Sequence, residues 1–243
     1  MISESNDTYD FGLVLPDKYQ KEIYLFDDTP PSINDGLNGT FQEKIRRFNV
    51  SVGFLVNRIG IIETTAVEEK PIVQSCRDEP CNIDIIYRRM IRDVYMELFI
   101  YQEKLLNIVC NLFFVRICKT REQNLRKLKK RSAYFPQLMV FCEECRKLKD
   151  DERYQRVMAI RDDEIHNMSQ LDSFIYDIHK EKDDVKIVNK GYKIKATTLR
   201  EDYLYAMDKL LYIRNIVQDI LNESDFMKIK RILDEKGEET WVN

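Results

Sequence analysis

Apolar residues recur at helical spacing over most of the chain, and the longest run lies near its middle. Between Tyr87 and Val115 they alternate at intervals of four and three residues, which is typical of a helix that packs lengthwise against other helices. This seam consists of Tyr87, Ile91, Val94, Leu98, Tyr101, Leu105, Ile108, Leu112 and Val115. From Leu105 onward the other faces are apolar as well, so other helices should surround this half. We expect one long central helix from about Asp84 to Cys118.

Shorter stripes of the same period predict helices on both sides of the central one. They cover Phe41 to Ile62, Pro136 to about Lys149, a segment that opens at Asp150 and Asp151 and ends near Lys182, a helix that starts with a Thr198–Glu201 capping box and runs to about Asn222, and a short last helix that stops at Gly237. Alternating apolar and polar residues around Asn189, Lys190 and Gly191 predict a small β-hairpin near residues 185–195.

These elements predict an all-α protein, an elongated helical bundle. The adjacent Pro30 and Pro31, among acidic and aromatic residues, predict an irregular N-terminal arm at residues 1–40, and residues 41–243 form a single helical-bundle domain. Only seven glycines and six prolines occur in 243 residues, which favours long elements. The sequence lacks a secretory signal and a stretch of about 20 apolar residues. With six cysteines, we therefore expect buried thiols and a cytoplasmic protein.

The charge pattern allows a local site for nucleic acid but no global one. The net charge is −3 and the pI about 5.7, so no general basic surface is expected. One stretch is nevertheless basic, and it contains Lys119, Arg121, Arg126, Lys127, Lys129, Lys130 and Arg131. It is interpreted either as a solvated face near a helix C-terminus or as a dock for RNA phosphates beside the aromatic Tyr134 and Phe135. The candidate RNA-binding residues are Lys127, Lys129, Lys130 and Arg131.

Other kinds of site have little support in the sequence. With only two histidines, the chain lacks the paired Glu-x-x-His motifs of a di-metal bundle, and Asp163-x-x-His166 is the nearest match. Cys142 and Cys145 have zinc-knuckle spacing, but buried structural thiols are the preferred interpretation. No phosphate-loop, dinucleotide or hydrolase motif occurs. We therefore expect no cofactor and no metal.

The remaining motif is the run Arg161-Asp162-Asp163-Glu164-Ile165-His166-Asn167. It resembles the Arg-x4-His motif of the HEPN superfamily, small helical-bundle domains found in many prokaryotic RNases and toxins. The resemblance implies a HEPN-like bundle, a homodimer whose two motif copies face one cleft, and metal-independent cleavage of single-stranded RNA. It also implies that Arg161 and His166 are catalytic, that Asp162 assists them, and that an antitoxin or other protein is a further partner. Met168 departs from the subgroup of toxins that has Tyr at this place.

Helical geometry separates the surroundings of His166 and Arg161. At about 100° per residue, His166 falls roughly 160° from the centre of the apolar stripe, on the same polar face as Asp162. The carboxylate of Asp162 could hold one ring nitrogen and raise the imidazole pKa, which would suit a general base. The alternative is structural: Arg161 neutralises Glu164, which lies at the centre of the stripe, while His166 and Asp162 are solvated.

Two functions from different classes follow from these patterns. In the first, the protein is a metal-independent endoribonuclease or an RNA-binding protein. His166 would take the proton of a ribose 2′-hydroxyl and Arg161 would stabilise the attacked phosphate, which leaves a 2′,3′-cyclic phosphate and a 5′-hydroxyl. In the second, it is a non-catalytic helical interaction protein, a HEPN descendant that only binds RNA, a nucleotide or a partner protein.

Overall fold

The computed structural model describes residues 23–25, 36–73, 82–166, 174–181, 184–192 and 196–240, with side chains at 23–25, 41–63, 88–162 and 198–240. Within these ranges the chain is predominantly helical, with seven helices and one pair of strands. The elements are α1 Gly36–Val73, α2 Asn82–Leu112, α3 Arg121–Arg131, α4 Gln137–Asp150, α5 Glu152–His166, β1 Phe174–Glu181, β2 Asp184–Tyr192, α6 Ala196–Glu223 and α7 Phe226–Glu235. None of the described helices is both long enough and apolar enough to cross a membrane.

The predicted central helix is confirmed as α2. It packs extensively against four helices, α1, α3, α5 and α6. In the described bundle α4, α5 and α6 each pack extensively against three. The seam residues from Ile91 to Val115 are all buried, and Ile91, Val94 and Leu98 have no exposed surface at all. The alternation of four and three residues therefore marks the sides of α2 on which the other helices pack.

α2 ends at Leu112, six residues before the predicted Cys118, because Phe114 adopts a left-handed conformation (φ 53°). The N–H of Val115 donates to the carbonyl of Cys110 (2.7 Å), which closes a Schellman-type cap. A left-handed non-glycine residue costs about 1–2 kcal/mol. Burial of the Phe114 ring contributes about 1.5–3 kcal/mol, and this ring packs 4.8 Å from the ring of Phe226. Burial thus outweighs the backbone strain.

Residues 23–25 lie across the bundle and connect three helices. Ile23 and Leu25 are each only 1% exposed. The hydroxyl of Tyr101 on α2 donates to the carbonyl of Ile23 (2.9 Å), and Asn49 on α1 bonds both the N–H and the carbonyl of Leu25. Arg214 on α6 donates to the carbonyl of residue 24. The rest of the predicted arm, apart from the first turn of α1, lies outside the described residues.

Two predicted helix boundaries differ from the structure. α1 extends beyond the predicted Phe41–Ile62 at both ends, since the helix formers at residues 66–70 continue the helix after the apolar stripe has ended. α6 begins at Ala196, so Thr198 lies inside its first turn and is not the N-cap that the capping box predicted. The stripe of apolar residues thus predicts the length of the packed helix face and not the full length of the helix.

The prediction that the α5 helix continues to Lys182 is wrong. α5 ends at His166, and β1 and β2 form an antiparallel pair in which Ile178 lies opposite Ile187. Only residues 182–183 separate the strands, so the chain does not turn at Asn189–Gly191, the place expected for a small hairpin; those residues belong to β2. Apolar residues at positions 175 and 178 fit a helical stripe, but residues 174–181 also suit a strand, whose backbone hydrogen bonds β2 satisfies.

Candidate functional site

The basic stretch of the sequence forms a helix of its own, α3. Thr120 caps its N-terminus, since its hydroxyl accepts a hydrogen bond from the N–H of Gln123. Leu125 and Leu128 turn one side of α3 into the core. The buried Asn124 accepts a hydrogen bond from the N–H of Cys118 (2.7 Å), which ties the preceding loop to the helix. The orientation of α3, and with it the direction of its cationic side chains, is therefore fixed by its buried side.

The opposite side of α3 carries four exposed cations, which we call the basic face: Arg126, Lys127, Lys129 and Lys130. At about 100° per residue they fall within an arc of roughly 160°. Within the described part of the chain, no carboxylate forms an ion pair with any of the four. Lys127 donates only to the carbonyl of Arg116, at 3.4 Å. Between Arg116 and Arg131 eight residues are cationic and one, Glu122, is acidic.

Arg131, the fourth predicted RNA-binding residue, has a different environment. Its side chain is only 11% exposed, and its Nη1 lies 2.8 Å from Oε2 of Glu238 in an ion pair. Its Nη2 donates to the carbonyl of Glu239 (3.3 Å). Arg131 therefore holds the segment after α7 against α3, and a phosphate that reached its guanidinium would have to displace a carboxylate of the chain.

A pocket of about 480 Å³ lies at this junction, between the end of α2, one edge of α3 and the segment after α7. Its lining is strongly charged and consists of Phe114, Val115, Arg116, Lys127, Lys130, Arg131, Gly237, Glu238 and Glu239. Three of the four predicted RNA-binding residues thus line one cavity, and Lys129 lies outside it. The sequence could not predict the pocket, since Arg131 and Glu238 are more than 100 residues apart.

The two aromatic residues after α3 are not equivalent. Tyr134 is 37% exposed, so its ring is accessible for stacking on a base. Phe135 is buried, with its ring centroid 5.0 Å from that of Phe113. Of the two aromatic residues beside the basic stretch, Phe135 therefore anchors the turn after α3 to the core, and only Tyr134 exposes its ring.

The predicted catalytic Arg161 lies on the side of α5 that faces α2. Its guanidinium carbon is 3.7 Å from the ring centroid of Phe99, and Nη1 forms an ion pair with Oδ1 of Asp162. Nε is buried and has no hydrogen-bond partner among the described side chains, whereas the Asp162 side chain is 62% exposed. Arg161 is thus held by a ring and by its sequence neighbour. The side chains of Glu164 and His166, and so the expected Arg161–Glu164 and Asp162–His166 contacts, lie outside the described residues.

Glu103, a carboxylate on which the charge of Arg161 acts, was not predicted as a site residue. Glu103 of α2 is partly buried, and burial raises its pKa while the charges of Arg121 and Arg161 oppose that rise. Arg121 itself donates to the carbonyl of Cys145 (2.7 Å). Glu103 lies among apolar residues of α2, one turn after Phe99, and that placement is the signal that could have singled it out.

The contacts between α5 and α6 were also missed. Asp202 is only 1% exposed, and it accepts hydrogen bonds from Arg153 (2.8 Å) and from Nη2 of Arg156 (2.6 Å). Its position three residues after the buried Leu199, on the apolar side of α6, indicates burial. Its partners could not be predicted, because they come from another helix 46 and 49 residues away.

The cysteines with zinc-knuckle spacing, Cys142 and Cys145, are both buried in α4. Burial raises the pKa of the Cys142 thiol to about 11 and that of the Cys145 thiol to about 12. At neutral pH both therefore keep their protons, as is typical of buried cysteines. Among the described side chains, no group of three or more His, Cys, Asp and Glu residues has an arrangement that could hold a metal ion.

Comparison with known proteins leaves the function to be inferred from these residues. The resemblance to the HEPN motif concerns residues 161–167 alone and stays a hypothesis. The pocket and the basic face are known from the structure of this chain alone. No family model, no curated protein and no solved structure matches the chain.

Proposed function

We propose that the protein binds single-stranded RNA through the basic face of α3. The observation that supports this proposal is the clustering of four exposed cations on one side of a helix, without an ion pair to any of them in the described part of the chain. Phosphate contacts by Lys and Arg supply most of the affinity of sequence-independent RNA binding. The net charge of −3 confines that attraction to this region.

The surroundings of the basic face favour a single strand. Tyr134 follows α3 directly and exposes its ring, which offers a stacking surface that only unpaired bases can use. Lys129 and Lys130 lie in the last turn of α3, and the backbone of Tyr134 follows that turn directly, since the N–H of Tyr134 donates to the carbonyl of Arg131 (2.9 Å). Phosphates and an unstacked base could therefore contact neighbouring parts of one surface.

The test measures the salt dependence of binding to a labelled single-stranded RNA by fluorescence anisotropy. One variant replaces all four residues of the basic face with Gln, and a matched control replaces Arg46, Arg47, Lys147 and Lys230, which are exposed but paired with carboxylates. Each lost phosphate contact should reduce the slope of log K against log salt by about 0.7. The control carries the same net charge and should keep the wild-type slope. Equal slopes for the two variants would overturn the proposal.

Cleavage of the bound RNA is a second candidate function. What supports it is that one unbroken helix, α5, carries both Arg161 and His166 and that Nε of Arg161 is buried without a partner among the described side chains. His166 would accept the proton of a 2′-hydroxyl, whose oxygen forms a bond to the adjacent phosphorus while the bond from phosphorus to the 5′-oxygen breaks. The leaving 5′-oxygen takes up a proton from water and becomes a hydroxyl. Arg161 would exchange its contact with Asp162 for the charge on the phosphoryl oxygens.

The cleavage test incubates RNA with the protein in EDTA and identifies the new ends. His166→Ala and Arg161→Ala should each abolish formation of 2′,3′-cyclic phosphate, and a mixture of the two should regain activity if a dimer shares the site. Both variants should still bind RNA, since neither residue belongs to the basic face. Wild-type protein that binds RNA and leaves it intact would limit the function to binding. Protein that neither binds nor cleaves RNA would favour an interaction protein.

A further inference from the structure

The pocket beside α3 already contains an anion of the chain itself. Glu238 places its carboxylate against the guanidinium of Arg131, at 2.8 Å between Oε2 and Nη1. Arg131 is the most buried cation of the cavity lining, with a side chain only 11% exposed, whereas the side chain of Glu238 is 42% exposed. The cavity is therefore arranged to hold a negatively charged group at a defined place.

The lining favours a group with more than one negative charge. Four cations, Arg116, Lys127, Lys130 and Arg131, stand against the carboxylates of Glu238 and Glu239, and Arg131 forms its ion pair with Glu238. Neither Lys127 nor Lys130 is paired with a carboxylate in the described part of the chain. A phosphomonoester carries a charge of about −1.5 to −2 at neutral pH and has three acceptor oxygens, whereas a phosphodiester within a strand carries one charge. The monoester thus gains more from several converging cations.

The size of the cavity agrees with a terminal nucleotide. Small-molecule pockets have volumes of about 300–1,000 Å³. The value here, about 480 Å³, lies within that range. The apolar wall is formed by Phe114 and Val115, whose conformation is fixed by the left-handed turn at the end of α2. The basic face continues from Lys127 and Lys130 onto the outside of α3, so a strand that ends in the cavity could continue along that face.

We propose that this pocket binds the phosphomonoester at one end of an RNA strand and that Glu238 is its intramolecular competitor. The proposal rests on the proposed function for the rest of the strand, while the pocket itself is tested by mononucleotides. When the terminal phosphate enters, it replaces the carboxylate of Glu238 at Arg131 and gains Lys127 and Lys130 as further partners. Binding of phosphorylated ends is then weakened by the chain's own acidic segment.

The experiment compares three forms of one short single-stranded RNA by fluorescence anisotropy: with a 5′-phosphate, with a 3′-phosphate, and with hydroxyls at both ends. One phosphorylated form should bind about tenfold more tightly than the hydroxyl form, the effect of one or two charge-assisted hydrogen bonds. The form that binds more tightly identifies the end. Glu238→Gln should strengthen that binding several-fold more than it strengthens binding of the hydroxyl form, which gains only the general charge effect. Glu235→Gln removes an exposed carboxylate of α7 outside the pocket and should change neither.

Isothermal titration with a nucleoside 5′-monophosphate and a 3′-monophosphate separates the two proposals. If RNA does not bind but one mononucleotide does, and Lys130→Gln weakens it, then the pocket is correct and the basic-face proposal fails. If RNA binds equally well with and without terminal phosphate, in wild type and in Glu238→Gln, the pocket proposal is overturned and the basic-face proposal stands. If no mononucleotide binds to wild type or to Glu238→Gln, the pocket proposal is likewise overturned.

Discussion

Two arginines of α5 and the four cations of the basic face of α3 differ in whether a carboxylate of the chain pairs with them. Arg153 and Arg156 of α5 both bond one carboxylate, that of Asp202, which is almost fully buried. The basic face of α3 is exposed, and its cations form no ion pair with a carboxylate in the described part of the chain. The first arrangement joins two helices. The second forms no ion pair with another element of the described chain, and Lys127 donates only to the carbonyl of Arg116.

The difference indicates which charges stabilise the fold and which are available to a ligand. A buried carboxylate must be paired, because burial of an unpaired charge costs several kcal/mol. Exposed lysines on one helix face repel each other slightly instead. Cations in the last turn gain about 0.3–1 kcal/mol each from the helix dipole, which accounts for Lys129 and Lys130. It does not account for Arg126 and Lys127, which lie further from the end of α3.

The largest effect is expected when the paired region loses its carboxylate. Asp202→Ala leaves Arg153 and Arg156 without their common partner and should destabilise the protein by about 2–4 kcal/mol. For a chain of this size each kcal/mol lowers the melting temperature by about 2–4 °C. Thermal unfolding followed by circular dichroism measures the loss. Asp202→Asn, which keeps one acceptor oxygen, should lose less.

The same measurement on the basic face supplies the control. Replacement of all four of its cations with Gln should lower the melting temperature much less than Asp202→Ala does, since relief of the repulsion between the cations offsets the lost helix-dipole contribution of Lys129 and Lys130. A loss as large as that of Asp202→Ala would mean that the basic face stabilises the fold, and the contrast between α3 and α5 would disappear.

A smaller effect should follow when a carboxylate is added to the unpaired region. On the helical wheel Gln123 lies near the middle of the basic face, three residues before Arg126 and four before Lys127. Gln123→Glu should weaken RNA binding by about two- to fivefold, because one negative charge opposes the phosphates. The fold should be unaffected, as a glutamate in the first turn suits the helix dipole.

The neighbouring Glu122 provides the reverse change in the same turn. Glu122→Gln removes the acidic residue of the stretch from Arg116 to Arg131 and should strengthen RNA binding by a similar factor. Both variants are compared with wild type in the anisotropy assay at one salt concentration. If both changed affinity in the same direction, local charge would not be what controls binding.

The sequence predicted what depends on local repetition and missed what depends on distant pairing. The apolar seam has nine members at regular spacing, and every member whose side chain the structure describes is buried. Three of the four cations of the basic face, Lys127, Lys129 and Lys130, were predicted because they are close together in the sequence, whereas Arg126 was left out of the predicted set in favour of the paired Arg131. By contrast, residues 174–181 fit two periods at once, and only their pairing with β2 distinguishes a strand from a helix.

In the candidate site, too, local patterns could be predicted from the sequence and contacts between distant residues could not. Arg161 could be singled out from its motif, but its contact with Phe99 comes from a helix 62 positions earlier in the chain. The pocket needs Glu238 beside Arg131, and no local pattern connects these two residues. Sequence patterns therefore identified candidate residues on single helices, while the contacts that determine how available each one is are tertiary.

The smallest effect concerns Glu103, a carboxylate that is intermediate between the two regions. It is partly buried like Asp202, yet no ion pair to it occurs within the described residues, and Arg121 and Arg161 act on it only through their charges. Because burial raises its pKa above the ordinary 4.5, the folded state favours the protonated form. The free energy of unfolding should therefore fall as the pH rises from about 4.5 through the raised pKa of Glu103. Above that pKa the contribution of Glu103 to the free energy of unfolding should stay constant.

Glu103→Gln should remove this dependence. The variant should match wild type near pH 4 and exceed it at pH 7, on the order of 0.5 kcal/mol, the scale of a mild substitution. In an Arg161→Gln background the gain should be larger, because Arg161 opposes the rise in the pKa of Glu103. Urea unfolding of the four proteins at both pH values measures the coupling. A loss of stability at pH 7 on Glu103→Gln would show instead that the two guanidiniums pair with Glu103, and this carboxylate would then belong with Asp202.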